Sequence, residues 1–277
     1  MTYCVAMRLN AGMVLLADSR TNAGVDQINT FRKMTVFERT GERVIVLMTS
    51  GNLAITQAVR QELHDLKTEA GDTIWTVRTM HAVAQLLGCA ARKVHARDAE
   101  SLKEFNVDFS ASFILGGQIA GEGPRLFQAY AAGNFIEAGE DCPYFQIGEA
   151  KYGKPIIDRV VNPRMPLDEA AKCALISMDS TVRSNISVGL PLDLMVYETD
   201  SLAVTRFARI DETNKYYQMI RNSWGQKLQQ VFDEIPDPSW MDQCGSVNDA
   251  LRGLPLRVVS PDSSVDPVPS QTLAQQS

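Results

Sequence analysis

The order in which strand-like and helix-like segments follow one another constrains this chain more than any single motif. Thr2 to Leu9 and Met13 to Asp18 are runs rich in Val, Leu and Met, joined by Asn10-Ala11-Gly12, the signature of a short hairpin. Lys33 to Glu38 and Arg43 to Thr49 repeat the pattern around Thr40-Gly41-Glu42. Ser50-Gly51-Asn52 ends it and can open a helix. Helical spacing of Ile55, Val59, Leu63 and Leu66 predicts a helix over Leu53 to Lys67, and a longer one is predicted over Thr73 to Arg97. Strands return at Phe109 to Gly116, Arg125 to Ala131 and Tyr144 to Ile147, followed by helices at Tyr152 to Val160 and Leu167 to Arg183. Leu192 to Thr199 and Ala203 to Ala208 form a last strand pair, and Asn214 to Phe232 a last helix. Segregated runs of each type favour an α+β layered domain over a βαβ chain. Two sheets, each with a helix pair outside it, make a four-layer sandwich. The domain is expected over residues 1–235. Beyond it Pro236, Pro238, Pro255, Pro261, Pro267 and Pro269 break any regular element, so residues 236–277 read as a Pro-rich extension, partly disordered.

Bulk properties exclude several function classes. A formal net charge of -6 without a Lys/Arg cluster opposes phosphate binding, so no nucleic-acid partner is expected. The apolar runs fall far short of the ~20 residues a membrane span needs. The start has no basic stretch followed by an apolar one, so a secretory signal is not expected. Cysteines at 4, 89, 142, 173 and 244 are odd in number and form no C-x-x-C pair, which reads as reduced thiols in a cytoplasmic protein. His64, His81 and His95 show no metal-ligand spacing, so neither a metal nor another cofactor is expected. Gly116-Gly117-Gln118-Ile119-Ala120-Gly121 leads into a strand and not a helix, and the dinucleotide reading fails.

The chemistry points to the N-terminus. Thr2 is small enough to permit removal of Met1. An N-terminal threonine carries a hydroxyl nucleophile beside an α-amine that can act as its base, with a reference pKa of about 7.7–8.0. A hairpin brings Asp18 next to Thr2, and Lys33 can enter the same corner from the adjacent strand. A cation there lowers the hydroxyl pKa and stabilises the alkoxide, and Asp18 supplies its counter-ion. Each feature alone has a plain alternative: an ordinary chain start, solvated surface charges at Asp18 and Lys33, and a helix-entry turn at Gly51.

Together, Thr2, Asp18-Ser19-Arg20-Thr21, Lys33 and Ser50-Gly51-Asn52 resemble proteasome β subunits, which are N-terminal nucleophile hydrolases. The stretches Thr2 to Asp26, Phe31 to Met34, Ile147 to Pro155 and Ser184 to Pro191 are similar to the bacterial ancestral-β-subunit branch, Anbu. The resemblance covers roughly the first 235 residues and implies an αββα sandwich. It implies a threonine peptidase in which Thr2 is the nucleophile and Asp18 and Lys33 tune it. Gly51 would offer its N–H as the oxyanion hole, and the Thr21-Asn22 edge would pair with an extended peptide. The implied partners are a peptide or unfolded protein and further copies of the chain, in a ring or helical stack built through the long apolar helices. No motif identifies an unfoldase partner. Two departures stand out. The family's Gly-Ser-Gly-Ser run reads Gly148-Glu149-Ala150-Lys151, so Glu149 either bonds the amine or pairs with Lys151. The family's Asp-x-x-Ser-Gly reads Ser184-Asn185-Ile186-Ser187-Val188-Gly189, leaving Asn185 and Ser187 as partial substitutes. A catalytically silent scaffold and a non-peptidase amide hydrolase of the same fold therefore stay open.

Overall fold

The computed structural model describes residues 1–22 and 28–238. The chain divides into two units, Met1–Leu228 and Gln229–Ser277. All layers and the site lie in the first. From residue 239 on, the expected Pro-rich extension lies outside the described residues.

The first sheet runs in the order β10 (Tyr144–Gly148), β1 (Tyr3–Leu9), β2 (Gly12–Asp18), β11 (Leu192–Glu198), β12 (Arg206–Ile210). The second runs β5 (Met34–Arg39), β6 (Arg43–Gly51), β7 (Ala111–Ile119), β8 (Arg125–Tyr130), β9 (Phe135–Glu137). A separate ribbon pairs β3 (Arg20–Asn22) with β4 (Ile28–Thr30). Alternation along each strand sorts side chains between layers. Cys4, Ala6, Met13 and Leu15 meet Val44, Val46, Met48 and Ile114 between the sheets. Ile45, Leu47 and Phe113 face α1 (Leu53–Asp65) and α2 (Met80–Glu104). Tyr3, Val5, Val14 and Leu16 face α3 (Ala150–Val160) and α4 (Leu167–Ser184), with Tyr217 and Ile220 of α5 (Lys215–Glu234) in the same cluster. The result is the expected αββα sandwich. Strands covered on both faces have no polar side to show, which is why they read as continuous apolar runs.

Several expectations need correcting. The second helix begins at Met80 and not at Thr73. Residues 73–77 form a turn, in which Thr76 N and Val77 N donate to Thr73 O, and Thr79 caps the helix through Ala82 N at 3.1 Å. Ile74 and Val77 are buried from that turn, so their spacing mimics a helix. The helix continues to Glu104, past Arg97. The last strand lies at Arg206–Ile210, displaced from Ala203–Ala208. The three-residue strands β3, β4 and β9 are new. No large apolar side chain of α1 or α2 is exposed. Their apolar faces are used up within the chain, so the length and apolarity of these helices give no argument for assembly.

Candidate active site

Three backbone contacts hold Thr2 in place. Hairpin register pairs Cys4 with Ala17, which sets Asp18 opposite the start of β1, and Asp18 Oδ1 accepts from Tyr3 N at 2.9 Å. On the other side Tyr3 pairs with Gly148, and Glu149 N donates to Thr2 O at 2.7 Å. Gly148 sits at φ +81, where a Cβ would lie 1.9 Å from Thr2 O, so only glycine allows the approach. The Tyr3 hydroxyl adds a fourth anchor. It meets Ser177 Oγ of α4 at 2.6 Å and accepts from Gln146. Burial pushes that phenol up to about 12.

Lys33 reaches this corner across the sandwich. It precedes β5 of the second sheet, which corrects the expectation that it enters from a strand adjacent to the first hairpin. Its Nζ donates to Asp18 Oδ1 at 2.7 Å, to Arg20 O at 2.6 Å and to Met1 O at 3.5 Å. Lys33 is 6% and Asp18 1% exposed, so the pair is desolvated. Burial raises the Asp18 carboxyl above its ordinary range, opposed by Lys33 and by the N–H groups of Tyr3 and Gly189. Gly189 N lies 3.4 Å from Asp18 Oδ2.

Gly51 ends β6 at φ +114, where a Cβ would lie 2.3 Å from Ser110 O. Asn52 then caps α1, its Oδ1 accepting from Ala54 N at 3.0 Å. A cavity of about 250 Å³ is bounded by Thr2, Lys33, Gly51, Thr21 and the first turn of α1, with Met1 also on its wall. The backbone of Asn22 lies on β3, paired with Ile28, and its side chain is outside the described residues.

Glu149, Asn185 and Ser187, expected to support the amine, make the following contacts. Glu149 Oε2 lies 3.7 Å from Lys151 Nζ. Asn185 caps α4, and its Oδ1 accepts from Ser187 N at 2.9 Å. Half-buried Ser187 belongs to the same turn. That turn's contribution to the site is the Gly189 N–H, and Arg20 holds it by donating to Ile186 O at 3.1 Å. Sequence reasoning missed Gly189, the Arg20 carbonyl and Gly148, because each acts through its backbone. Cys4 is buried core, and His81 and His95 pack on Phe135 and Phe109. Among the described residues no group of His, Cys, Asp and Glu gathers as a metal site requires.

The chain matches the proteasome subunit family over residues 2–195. It is 23% identical over 212 residues to a proteasome subunit beta of Haloquadratum walsbyi, covering 76% of this chain and 79% of that one. Among solved structures, Anbu (ancestral beta-subunit) from Yersinia bercovieri is 50% identical, with a TM-score of 0.79, over 86% of this chain and 99% of that one. The helical assembly of the Anbu complex from Pseudomonas aeruginosa is 46% identical, with a TM-score of 0.81, over 86% and 98%. Anbu from Hyphomicrobium sp. strain MC1 is 47% identical, with a TM-score of 0.77, over 85% and 98%.

Proposed function

The chain belongs to the proteasome subunit family, in its Anbu branch, and on that premise we propose that it is a threonine peptidase subunit with Thr2 as nucleophile. The observation that carries this reading is the desolvated Lys33, held between Asp18 Oδ1 and Arg20 O on the wall of the cavity that Thr2 and Gly51 also bound. Cleavage of the Met1–Thr2 bond frees the Thr2 amine. The amine then takes the proton from the Thr2 hydroxyl, directly or through a water, as Oγ attacks the peptide carbonyl. Lys33 stabilises the developing alkoxide, and the Gly51 N–H faces the oxyanion of the tetrahedral intermediate. Collapse expels the amine product and leaves an ester on Thr2, which water hydrolyses. The β3 edge at Thr21 and Asn22 pairs with the substrate as an added strand.

The likeness to a relative described as a helical assembly supports self-association of this chain. Reduced thiols at Cys4, Cys89, Cys142 and Cys173 fit a cytoplasmic setting, and no described helix is long and apolar enough to cross a membrane. One observation favours a second reading. Glu149 Oε2 lies 3.7 Å from Lys151 Nζ, and Asn185 Oδ1 accepts from Ser187 N, contacts that do not need a Thr2 amine. A silent scaffold would look the same there.

Intact mass with and without a peptide epoxyketone, beside a Thr2→Ala control, separates the two. A chain lacking Met1 and carrying one adduct, absent from the control, supports the peptidase. A retained Met1, or a free Thr2 that never reacts, supports the scaffold.

A further inference from the structure

The cavity beside Thr2 has a lining that says what it takes. It is the space into which a substrate held at Thr2 and Gly51 would project the side chain of the residue whose carbonyl is attacked. Beside Thr2 its walls carry the hydroxyl residues Thr21, Thr49, Ser50 and Thr56, and once Met1 is cleaved off Leu53 is the one large apolar residue among the described lining. Thr56 is spoken for, since its Oγ1 donates to Leu53 O at 3.1 Å. Thr21 Oγ1 is buried and has no hydrogen-bond partner among the described residues. Thr49 is half-buried on the same wall. Among the described residues no carboxylate lines the space, and the one ammonium, Lys33, is already paired with Asp18.

Elementary energetics then ranks the occupants. A charged side chain would be buried without a counter-ion. A purely apolar one would cover Thr49 and leave Thr21 Oγ1 without the partner it lacks. An uncharged side chain that both donates and accepts would satisfy them. The volume of about 250 Å³ lies below the ~300–1,000 Å³ of pockets for drug-sized ligands and suits a single side chain.

We propose that this cavity selects an uncharged hydrogen-bonding residue, of the Ser, Thr, Asn or Gln class, on the acyl side of the scissile bond, and that Thr21 and Thr49 read it. The proposal rests on the peptidase reading above. Sites built to bond a hydroxyl reject the isostere that lacks it, because the protein's own groups are then left unpaired.

The test is a set of peptide epoxyketones that differ only at the residue bearing the warhead, with labelling of Thr2 followed by intact mass. Thr and Val have the same shape and differ by the hydroxyl. The Thr probe is expected to react about tenfold faster than the Val probe. Asp and Lys probes should be slower by about a hundredfold or more. Thr21→Val or Thr49→Val in the protein should collapse the Thr-to-Val ratio toward one. A Val or Phe probe that reacts fastest in the unsubstituted protein overturns the proposal, whether or not the variants fold. So does a ratio that survives both substitutions. If no probe labels Thr2 at all, the peptidase reading fails and takes this one with it, whereas labelling in a different rank order refutes only the selectivity.

Discussion

Lys33 and Asp18 set the cost of having chemistry in this corner. Neither can be removed alone without leaving its partner's charge buried and unpaired. Lys33→Ala should therefore cost about 3–5 kcal/mol of stability in addition to abolishing Thr2 labelling. Asp18→Asn in the same chain should recover part of that loss without restoring activity. Urea unfolding at one protein concentration measures both, and two losses that simply add would show that the residues do not interact. Acidity separates fold from function. A carboxyl raised in the folded state adds stability below its unfolded pKa and loses it as pH rises through the folded one. Asp18 alone thus favours the fold on the acid side, where its protonation dismantles the ion pair. Glu137, held low by Arg125, keeps its contribution until a lower pH. On acidification, Thr2 labelling should fall before near-UV circular dichroism changes. A simultaneous loss would remove Asp18 as the cause. The thiols give a further check. Burial pushes Cys4 upward and Cys173 to about 11, while Cys89 and Cys142 are exposed. Iodoacetamide should modify the exposed pair and spare the buried pair in the folded protein, and rapid modification of Cys4 would mean that the Thr2 strand opens. At this scale the candidates Thr2, Asp18, Lys33 and Gly51 were legible as a set that resembles the family's, each having a plain alternative when taken alone. The Gly189 N–H and the Arg20 carbonyl were not, since every residue has a backbone and only tertiary placement selects these two.

Elements matter here chiefly by where they stop. β6 ends at Gly51 and α1 starts at Asn52, so one junction sets the oxyanion-hole candidate and the cavity rim together. Asn52→Ala removes the cap and should cost about 1 kcal/mol. Gly51→Ala should be harsher for function, because the backbone at φ +114 must shift to relieve a 2.3 Å contact with Ser110 O. The expected outcome is that Gly51→Ala abolishes Thr2 labelling while thermal unfolding stays cooperative, and that Asn52→Ala slows labelling only mildly. Equal slowing by both would show that the junction acts through helix stability alone. Strand existence was legible from continuous apolar runs, and helix existence from spacing. Boundaries were less so. At Ile74 and Val77 a buried turn presents apolar residues at helical intervals, so periodicity extends the helix backwards across Thr79, whose capping role appears only in the folded chain. The ribbon of β3 and β4 carries no apolar alternation, because three-residue strands have too few positions to display one.

At the scale of the whole molecule, the four layers follow from the alternation of strand runs with helix pairs, which is why the architecture could be read before any coordinate. Assembly could not be read in the same way. The apolar length of α1 and α2 suggests an interface, yet the sheet beside them covers those faces. Burial within a chain and burial between chains draw on the same residues and leave the same trace in a sequence. The site itself supplies a better reason for assembly. Gly51 is exposed at the cavity rim and Met1 on its wall is 63% exposed, so among the described residues of a single chain nothing keeps a folded protein away from Thr2. If self-association encloses the site, size should govern access. A free peptide epoxyketone should label Thr2 readily, and the same warhead tethered by a short linker to a folded carrier should label it at least tenfold more slowly than diffusion alone explains. Dissociating the particle while the subunit stays folded should bring the two rates together. Equal rates in the assembled particle would mean that the sites face outward, and the chain would then act on whatever peptide reaches its surface, with selection left to the cavity alone.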